Sequence, residues 1–186
     1  MKIRCPWAVN NKLMVDYHDF EWGVPVHDDQ LLFEFLILEG VQAGLSWNLV
    51  LQKRENYRRA FDNFQIDKVA SYNQQKIEDL IENPGIIRNR LKINTAVINA
   101  AEVIDVQDKY SSFDSYIWKF VDNKPIQNKW KTLAEIPSST SQSEKMSKSL
   151  KKKGFKFVGP TICYSFMQAV GMVNDHLTCC FRHDEI

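Results

Sequence analysis

The chain is short of the residues that punctuate β architectures, with seven glycines and six prolines among 186 residues. That scarcity, beside apolar residues recurring at helical spacing, argues against a sandwich or barrel and for an all-α protein. Long hydrophobic runs are missing as well: none approaches the roughly 20 residues that a membrane span requires. The opening residues, Met1 to Trp7, hold no apolar stretch of signal-peptide length. A cytoplasmic protein with no membrane partner is therefore expected. Excess charge is absent too. A formal net charge of +1 excludes broad neutralisation of a polyanion, so any nucleic-acid contact has to come from a local patch. No internal repeat or low-complexity tract is present. At 44% hydrophobic content the chain can bury one substantial core, and a single monomeric domain over 1–186 is expected.

There are only four cysteines, and in a reducing compartment they read as metal ligands or buried thiols before disulfides. Their placement beside the histidines is informative. Cys5 and His18 lie near one end, His176 and Cys180 near the other, with His27 and Cys163 between. Zinc takes thiolate and imidazole ligands, four in a closed structural site, so this layout suits a zinc ion joining the two termini. On a helix, His176 and Cys180 would share one face, and so would Cys179, leaving the fourth ligand as either cysteine. The competing reading is a set of unrelated core cysteines and surface histidines.

Helical periodicity sets the rest of the frame. Asp28 caps a helix with Leu31, Leu32, Phe35 and Leu38 inward, ending near Gly40, and Ser46 caps the next. In that second helix Val50, Leu51, Tyr57 and Phe61 face inward, and Lys53, Arg54, Arg58 and Arg59 largely outward. Shorter helices follow from Asp67 and Asn73. After the Pro84-Gly85 break, a long helical stretch over 86–108 presents Ile93, Val97, Ala100, Ala101 and Ile104 on one side. Ser111 or Ser112 opens the segment holding Tyr116, Trp118 and Phe120. Residues 122–140 are polar and turn-rich and read as a surface connection. Ser141-Gln142-Ser143-Glu144 fits a capping box.

The helix opened by Ser141 runs to Lys151-Lys152-Lys153 and stops at Gly154, a residue suited to a left-handed cap. Pro160 then suits the first position of a new helix, and Gly159 lets the backbone approach a ligand. The element is helix, tight hairpin, helix over about 142–171. Amides at the start of the second helix, with Gly154, Gly159, Lys153 and Lys156 beside them, could grip a phosphate backbone without reading sequence. The lysines could equally serve only to solvate a helix end. Aromatic residues concentrate near the N-terminus: Trp7, Tyr17, Phe20 and Trp22, with Trp47 after Glu39-Gly40-Val41-Gln42-Ala43-Gly44-Leu45-Ser46. Such faces pack in cores or stack on bases. Glu39 follows the apolar run Phe35-Leu36-Ile37-Leu38, so its burial and a raised pKa are expected.

Four segments together resemble one family. Tyr17-His18-Asp19-Phe20-Glu21-Trp22-Gly23, Leu38 to Trp47, Gly85-Ile86-Ile87-Arg88, and Gly154 to Gly159 through Val173-Asn174-Asp175-His176 are similar to the bacterial 3-methyladenine DNA glycosylase I family, nearly end to end. The resemblance implies an all-α, helix-hairpin-helix DNA glycosylase-like fold. It implies structural Zn2+ on Cys5, His18, His176 and Cys180. It also implies flipping of 3-methyladenine out of alkylated double-stranded DNA, hydrolysis of the N-glycosidic bond, release of free 3-methyladenine and an abasic site. Family pocket positions fall on Glu39, the expected catalytic residue, and on Trp7, Tyr17, Trp22 and Trp47 around the base. Met14 stands where a relative can carry tyrosine. Superfamily relatives commonly place a water-activating aspartate shortly beyond the hairpin, where Asp175 lies; beside it stands the proposed ligand His176, and the resemblance assigns no water-activating residue in this family. A catalytic metal, or a DNA-binding module without turnover, are the alternatives.

Overall fold

The computed structural model describes residues 2–186. Among the described residues nine α-helices carry the fold: α1 (Lys12–Phe20), α2 (Asp29–Gln42), α3 (Trp47–Ala60), α4 (Ile66–Ala70), α5 (Gln74–Glu82), α6 (Arg90–Tyr110), α7 (Phe113–Trp118), α8 (Ser141–Lys153) and α9 (Pro160–Ala169). Two-residue strands β1 (Ile126–Gln127) and β2 (Val173–Asn174) pair in parallel. Asp28, Ser46, Asn73 and Ser112 each accept a backbone amide at the start of α2, α3, α5 and α7, so these caps match the sequence reading. Elsewhere α8 is capped by Thr140, whose box partner is Ser143 and not Glu144. A hydroxyl at the third helical position replaces the expected carboxylate.

The centre of the molecule is α2. Every residue from Leu32 to Val41 is buried, as expected of a helix that packs on several sides at once. α1, α3, α6, α7 and α9 surround its neighbourhood, and the hairpin between α8 and α9 reaches it directly. Phe157 at the hairpin tip adopts a left-handed φ of 53°, uncommon for a bulky residue. A Cβ on Gly40 would lie 3.3 Å from the Phe157 Cβ. Glycine at 40 thus lets the hairpin seat on α2 one residue beyond Glu39. Asn99 on α6 secures the hairpin from its other side, donating to the Lys156 carbonyl at 3.0 Å and accepting its amide at 2.8 Å.

Several inward faces differ from the sequence expectation. α6 begins at Arg90 under an Asn89 cap and buries Ile93, Ala96, Ala100, Val103 and Val106, while Ala101 is exposed and Val97 and Ile104 are half-buried. The face is rotated toward small residues because α4, α5 and α7 pack closely along it. Arg54 was expected outward and is buried, 6% exposed. Its guanidinium donates to Glu34 at 2.6 Å and to Glu21 at 2.5 Å, and Arg58 also bonds Glu34. A carboxylate inside α2 draws these cations in. The 122–140 connection supplies β1 to the small sheet, so it is more than a surface loop.

Because Glu34 holds Arg54 in a site closed to water, Glu34→Ala leaves a buried cation with only Glu21 to bond it. Urea unfolding should show a loss of about 3 kcal/mol; a loss near zero would mean the pair is not buried in solution.

Candidate functional site

A cavity of about 390 Å³ opens between the N-terminal segment, α2, α3, the connector and α9. Each wall has a local cause. Trp7 stands on a 3-10 turn started by Pro6, and Tyr17 lies on the buried face of α1. Trp22 follows the end of α1, and Trp47 opens α3 directly after its Ser46 cap. Trp7 and Trp22 meet edge to face at 4.9 Å and 78°, and Tyr17 lies 5.4 Å from Trp47. All four predicted aromatics and Glu39 therefore line one pocket. Phe20 is 74% exposed and takes no part. Trp47 Nε1 is buried and faces the Tyr17 hydroxyl, without a hydrogen bond of good geometry among the described residues.

Glu39 projects from α2 into this cage and is 4% exposed. Burial alone pushes its carboxyl up to about 8. Glu34, one and a half turns earlier on the same helix, is buried beside Arg54 and Arg58. Among the described residues no cation forms such a pair with Glu39. The two carboxyls of α2 thus differ in kind: one is neutralised by guanidinium groups, the other by holding its proton at neutral pH. Burial and the neighbouring Glu39 also raise the Tyr17 hydroxyl. Lys92 steadies this end of α2, donating to the carbonyls of Val41 and Ala43 at 2.7 Å each.

Five further residues line the cavity that the sequence reading did not place there: Gln42, Leu133, Ile136, Ser165 and Gln168; Met14, flagged as a departure, lines it too. Two pairs carried a legible signal. Leu133 and Ile136 are apolar residues spaced i,i+3 inside a polar stretch, and Ser165 and Gln168 are polar residues at the same spacing on an apolar helix.

Beside the pocket, Cys5, His18, His176 and Cys180 are all buried, and their ligand atoms lie within 4.8 Å of one another. Cys179 is exposed and outside the group. His176 and Cys180 sit in a turn and not on a helix; the Cys180 amide donating to the Leu177 carbonyl at 2.7 Å bends the chain instead. Sulfur-to-nitrogen separations are 3.8 Å for Cys5–His176, 3.6 Å for Cys180–His176 and 3.4 Å for Cys180–His18. Zinc bonds of about 2.3 Å to sulfur and 2.0–2.1 Å to nitrogen at a tetrahedral angle give an edge of about 3.6 Å. The donor set fits. His176 Nε2 lies 3.1 Å from the Trp22 carbonyl, which only accepts, leaving Nδ1 as the lone-pair atom. His18 Nδ1 faces Asp19 at 2.8 Å, and Arg4 in turn pairs with Asp19. Such outer partners orient metal-binding imidazoles. Burial pushes the Cys5 thiol up to about 12 and His176 down to about 4.

At the hairpin, Gly154 closes α8 at a φ of 110°, where a Cβ would strike the Glu102 carboxylate. No side chain caps the N-terminus of α9, and the space beside Gly159 is open. Lys156 is exposed, whereas Lys153 lies over the rings of Tyr110 and Tyr116 at 4.6 and 5.0 Å. Asp175 is 1% exposed and accepts four hydrogen bonds, from Asn128, Trp130, Tyr164 and Gln168.

The methyladenine glycosylase family model matches residues 7–183. The chain belongs to that family. It is 50% identical over 180 residues to DNA-3-methyladenine glycosylase 1 of Escherichia coli, covering 96% of each. A crystal structure of 3-methyladenine DNA glycosylase I superposes with a TM-score of 0.94 at 49% identity, covering 96% of this chain and 98% of that one. The Staphylococcus aureus enzyme, solved to explain 3-methyladenine recognition, superposes with a TM-score of 0.93 at 34% identity, covering 96% and 95%. The mostly helical fold is thus that of the family's solved members.

A buried acid whose folded-state pKa exceeds its ordinary value of 4.5 stabilises the fold fully below that value and loses the contribution as pH rises toward about 8. Between those limits wild type should lose about 1.4 kcal/mol per pH unit relative to Glu39→Gln. Urea unfolding of both proteins at about pH 5.5, 6.5 and 7.5 measures this; parallel profiles would contradict it.

Proposed function

We propose that Glu39 and its aromatic cage are the base-binding and catalytic centre of a monofunctional DNA-3-methyladenine glycosylase acting in base-excision repair. Membership of the methyladenine glycosylase family and 50% identity to the E. coli enzyme carry the activity. The enzyme flips 3-methyladenine from alkylated double-stranded DNA, hydrolyses its N-glycosidic bond, releases the free base and leaves an abasic site. Chemistry and pocket agree. Adenine methylated at N3 while still bonded to the sugar carries a positive charge and leaves readily, so strong protonation of the leaving group is not required.

The observation that favours Glu39 is its burial without a cation. A positive charge about 4 Å away at an effective dielectric near 20 is worth about 4 kcal/mol. Ionising a carboxyl of pKa about 8 at pH 7 costs about 1.4 kcal/mol. The net, near 3 kcal/mol or about a hundredfold, is available to a cationic base and denied to neutral adenine. In this reading Glu39 accepts from the exocyclic amine, while Trp47, Tyr17, Trp7 and Trp22 supply stacking faces worth about 1–3 kcal/mol per base. Among the described residues no lysine lines the pocket, so hydrolysis without a Schiff base is the expected course. Asp175 does not suit the water-activating role, because its two oxygens already accept four bonds, filling the sites a carboxylate offers.

The α8–α9 hairpin is assigned to the DNA backbone in a helix-hairpin-helix mode, through the open amides of α9, Gly154, Gly159 and Lys156. Lys153 is a weaker contact, since it already covers two aromatic rings. Ser165 and Gln168 lie five and eight residues into α9, so the backbone grip would stand about 8–12 Å from the pocket wall. Structural Zn2+ is assigned to Cys5, His18, His176 and Cys180; four protein ligands leave no open position for a catalytic water. The chain is read as one monomeric, cytoplasmic domain over 1–186; the single-domain part of that reading is supported by the E. coli relative matching it over 96% of each chain.

Incubating the protein with methylated duplex DNA should release 3-methyladenine, and Glu39→Gln should slow release by about a hundredfold. Absence of free base with wild type would overturn the activity; undiminished release by the variant would overturn the role of Glu39. Metal analysis should find about one zinc per chain in wild type and less in Cys5→Ser, with the variant's melting temperature lowered before its excision rate per folded molecule falls. A zinc-free Cys5→Ser protein of wild-type stability would contradict the assignment.

A further inference from the structure

We propose that Asp175 is a positioning residue for base recognition, drawing the connector and α9 together so that Leu133, Ile136 and Gln168 form one wall of the pocket. The inference rests on the pocket being the base site. The carboxylate is 1% exposed and takes its donors from two separate parts of the chain. Asn128 and Trp130 of the connector donate to one oxygen at 2.7 and 2.8 Å. Tyr164 and Gln168 of α9 donate to the other at 2.6 and 2.7 Å. Gln168 itself lines the cavity, and Leu133 follows Trp130 by three residues.

Between Trp130 and Ile136, which pack against the core, the connector has little else to fix it. Leu133 is 40% exposed, and the residues from Lys131 to Glu135 are all exposed, so no core of its own holds this stretch in place. Its other hydrogen bonds run to β2 and the C-terminal segment: the β1–β2 bridge, Asn128 to the Asn174 carbonyl at 3.2 Å, the Thr178 amide to the Trp130 carbonyl at 2.8 Å, Gln127 to the His183 carbonyl at 2.8 Å, and His183 to the Asn128 carbonyl at 2.9 Å. None of these reaches α9; among the described residues the hydrogen-bonded link from the connector's side chains to α9 runs through the Asp175 carboxylate. A buried carboxylate with every acceptor position filled is held rigidly and has no lone pair for a water proton. Its position just beyond the hairpin suits an aspartate that activates water; its bonding makes it a structural post for the pocket wall.

Asp175→Asn separates the two roles. The amide keeps the shape but turns one acceptor into a donor facing two donors. Positioning predicts that affinity for free 3-methyladenine, measured by calorimetry, falls about tenfold. KM for methylated duplex should rise similarly, with kcat kept within about threefold. A general base predicts the reverse: kcat falls and base affinity stays. Trp130→Phe, which removes one donor and no titratable group, should weaken base affinity in the same direction even if the Asp175 variant does not fold. Wild-type affinity in Trp130→Phe, or a pure kcat loss in Asp175→Asn, would overturn the inference. Failure of wild type to bind 3-methyladenine would instead overturn the base-site reading on which it rests.

Discussion

Burying the Glu39 carboxyl with no cation beside it destabilises the free protein by about 3 kcal/mol at pH 7, the work of holding a proton on an acid whose ordinary pKa is 4.5. The rest of the structure makes sense as the means of keeping that group dry. α2 is buried for ten consecutive residues, four aromatic rings close over its Glu39 side, and Lys92 fixes the carbonyls that follow. Glu34 shows the alternative on the same helix. With Arg54 and Arg58 against it, that carboxyl is matched, and it offers nothing to an incoming charge. The unmatched member of the pair is the one that faces the cavity.

The cage cannot rest on α2 alone, because three of its four aromatic rings come from the first 22 residues and the fourth, Trp47, from α3, while Ser165 and Gln168 come from α9. The four-residue Cys/His cluster joins these parts. Trp22 bonds His176 through its carbonyl at 3.1 Å and packs its ring against the imidazole at 4.6 Å. A ligand set that ties Cys5 and His18 to His176 and Cys180 therefore fixes a pocket residue directly. Closing so long a loop costs entropy that grows only slowly with length, about 0.6 kcal/mol per doubling, so a single ion can offset it. The hairpin reaches the same centre from outside. Phe157 sits against Gly40 in a conformation most residues avoid, which joins the α8–α9 hairpin to the helix of Glu39 without a flexible intermediate.

Much of this was legible in the residues. Helix caps at Asp28, Ser46, Asn73 and Ser112 are local chemistry, so the sequence exposes them. Glu39 was legible because an acid after four apolar residues has few innocent explanations. Arg54 was not, since helical periodicity sorts cations outward and only the fold places Glu34 within reach. The α6 face was misplaced by the weak contrast between alanine and valine at neighbouring positions. The connector was harder still: its polar composition describes its outer side correctly, and the spacing of Leu133 and Ile136 marks an inward face without saying that the face meets the pocket. Shared motifs with known glycosylases supplied the reaction, which neither composition nor spacing could reach.

Glu39 is buried in the free enzyme, its carboxyl pushed up to about 8 and so neutral until a positive charge arrives. Carbon-13 NMR of the glutamate side-chain carboxyls, with Glu39 assigned by comparison to Glu39→Gln, follows its ionisation directly. A midpoint near 8 is expected. A midpoint at the ordinary glutamate value of about 4.3 would contradict it.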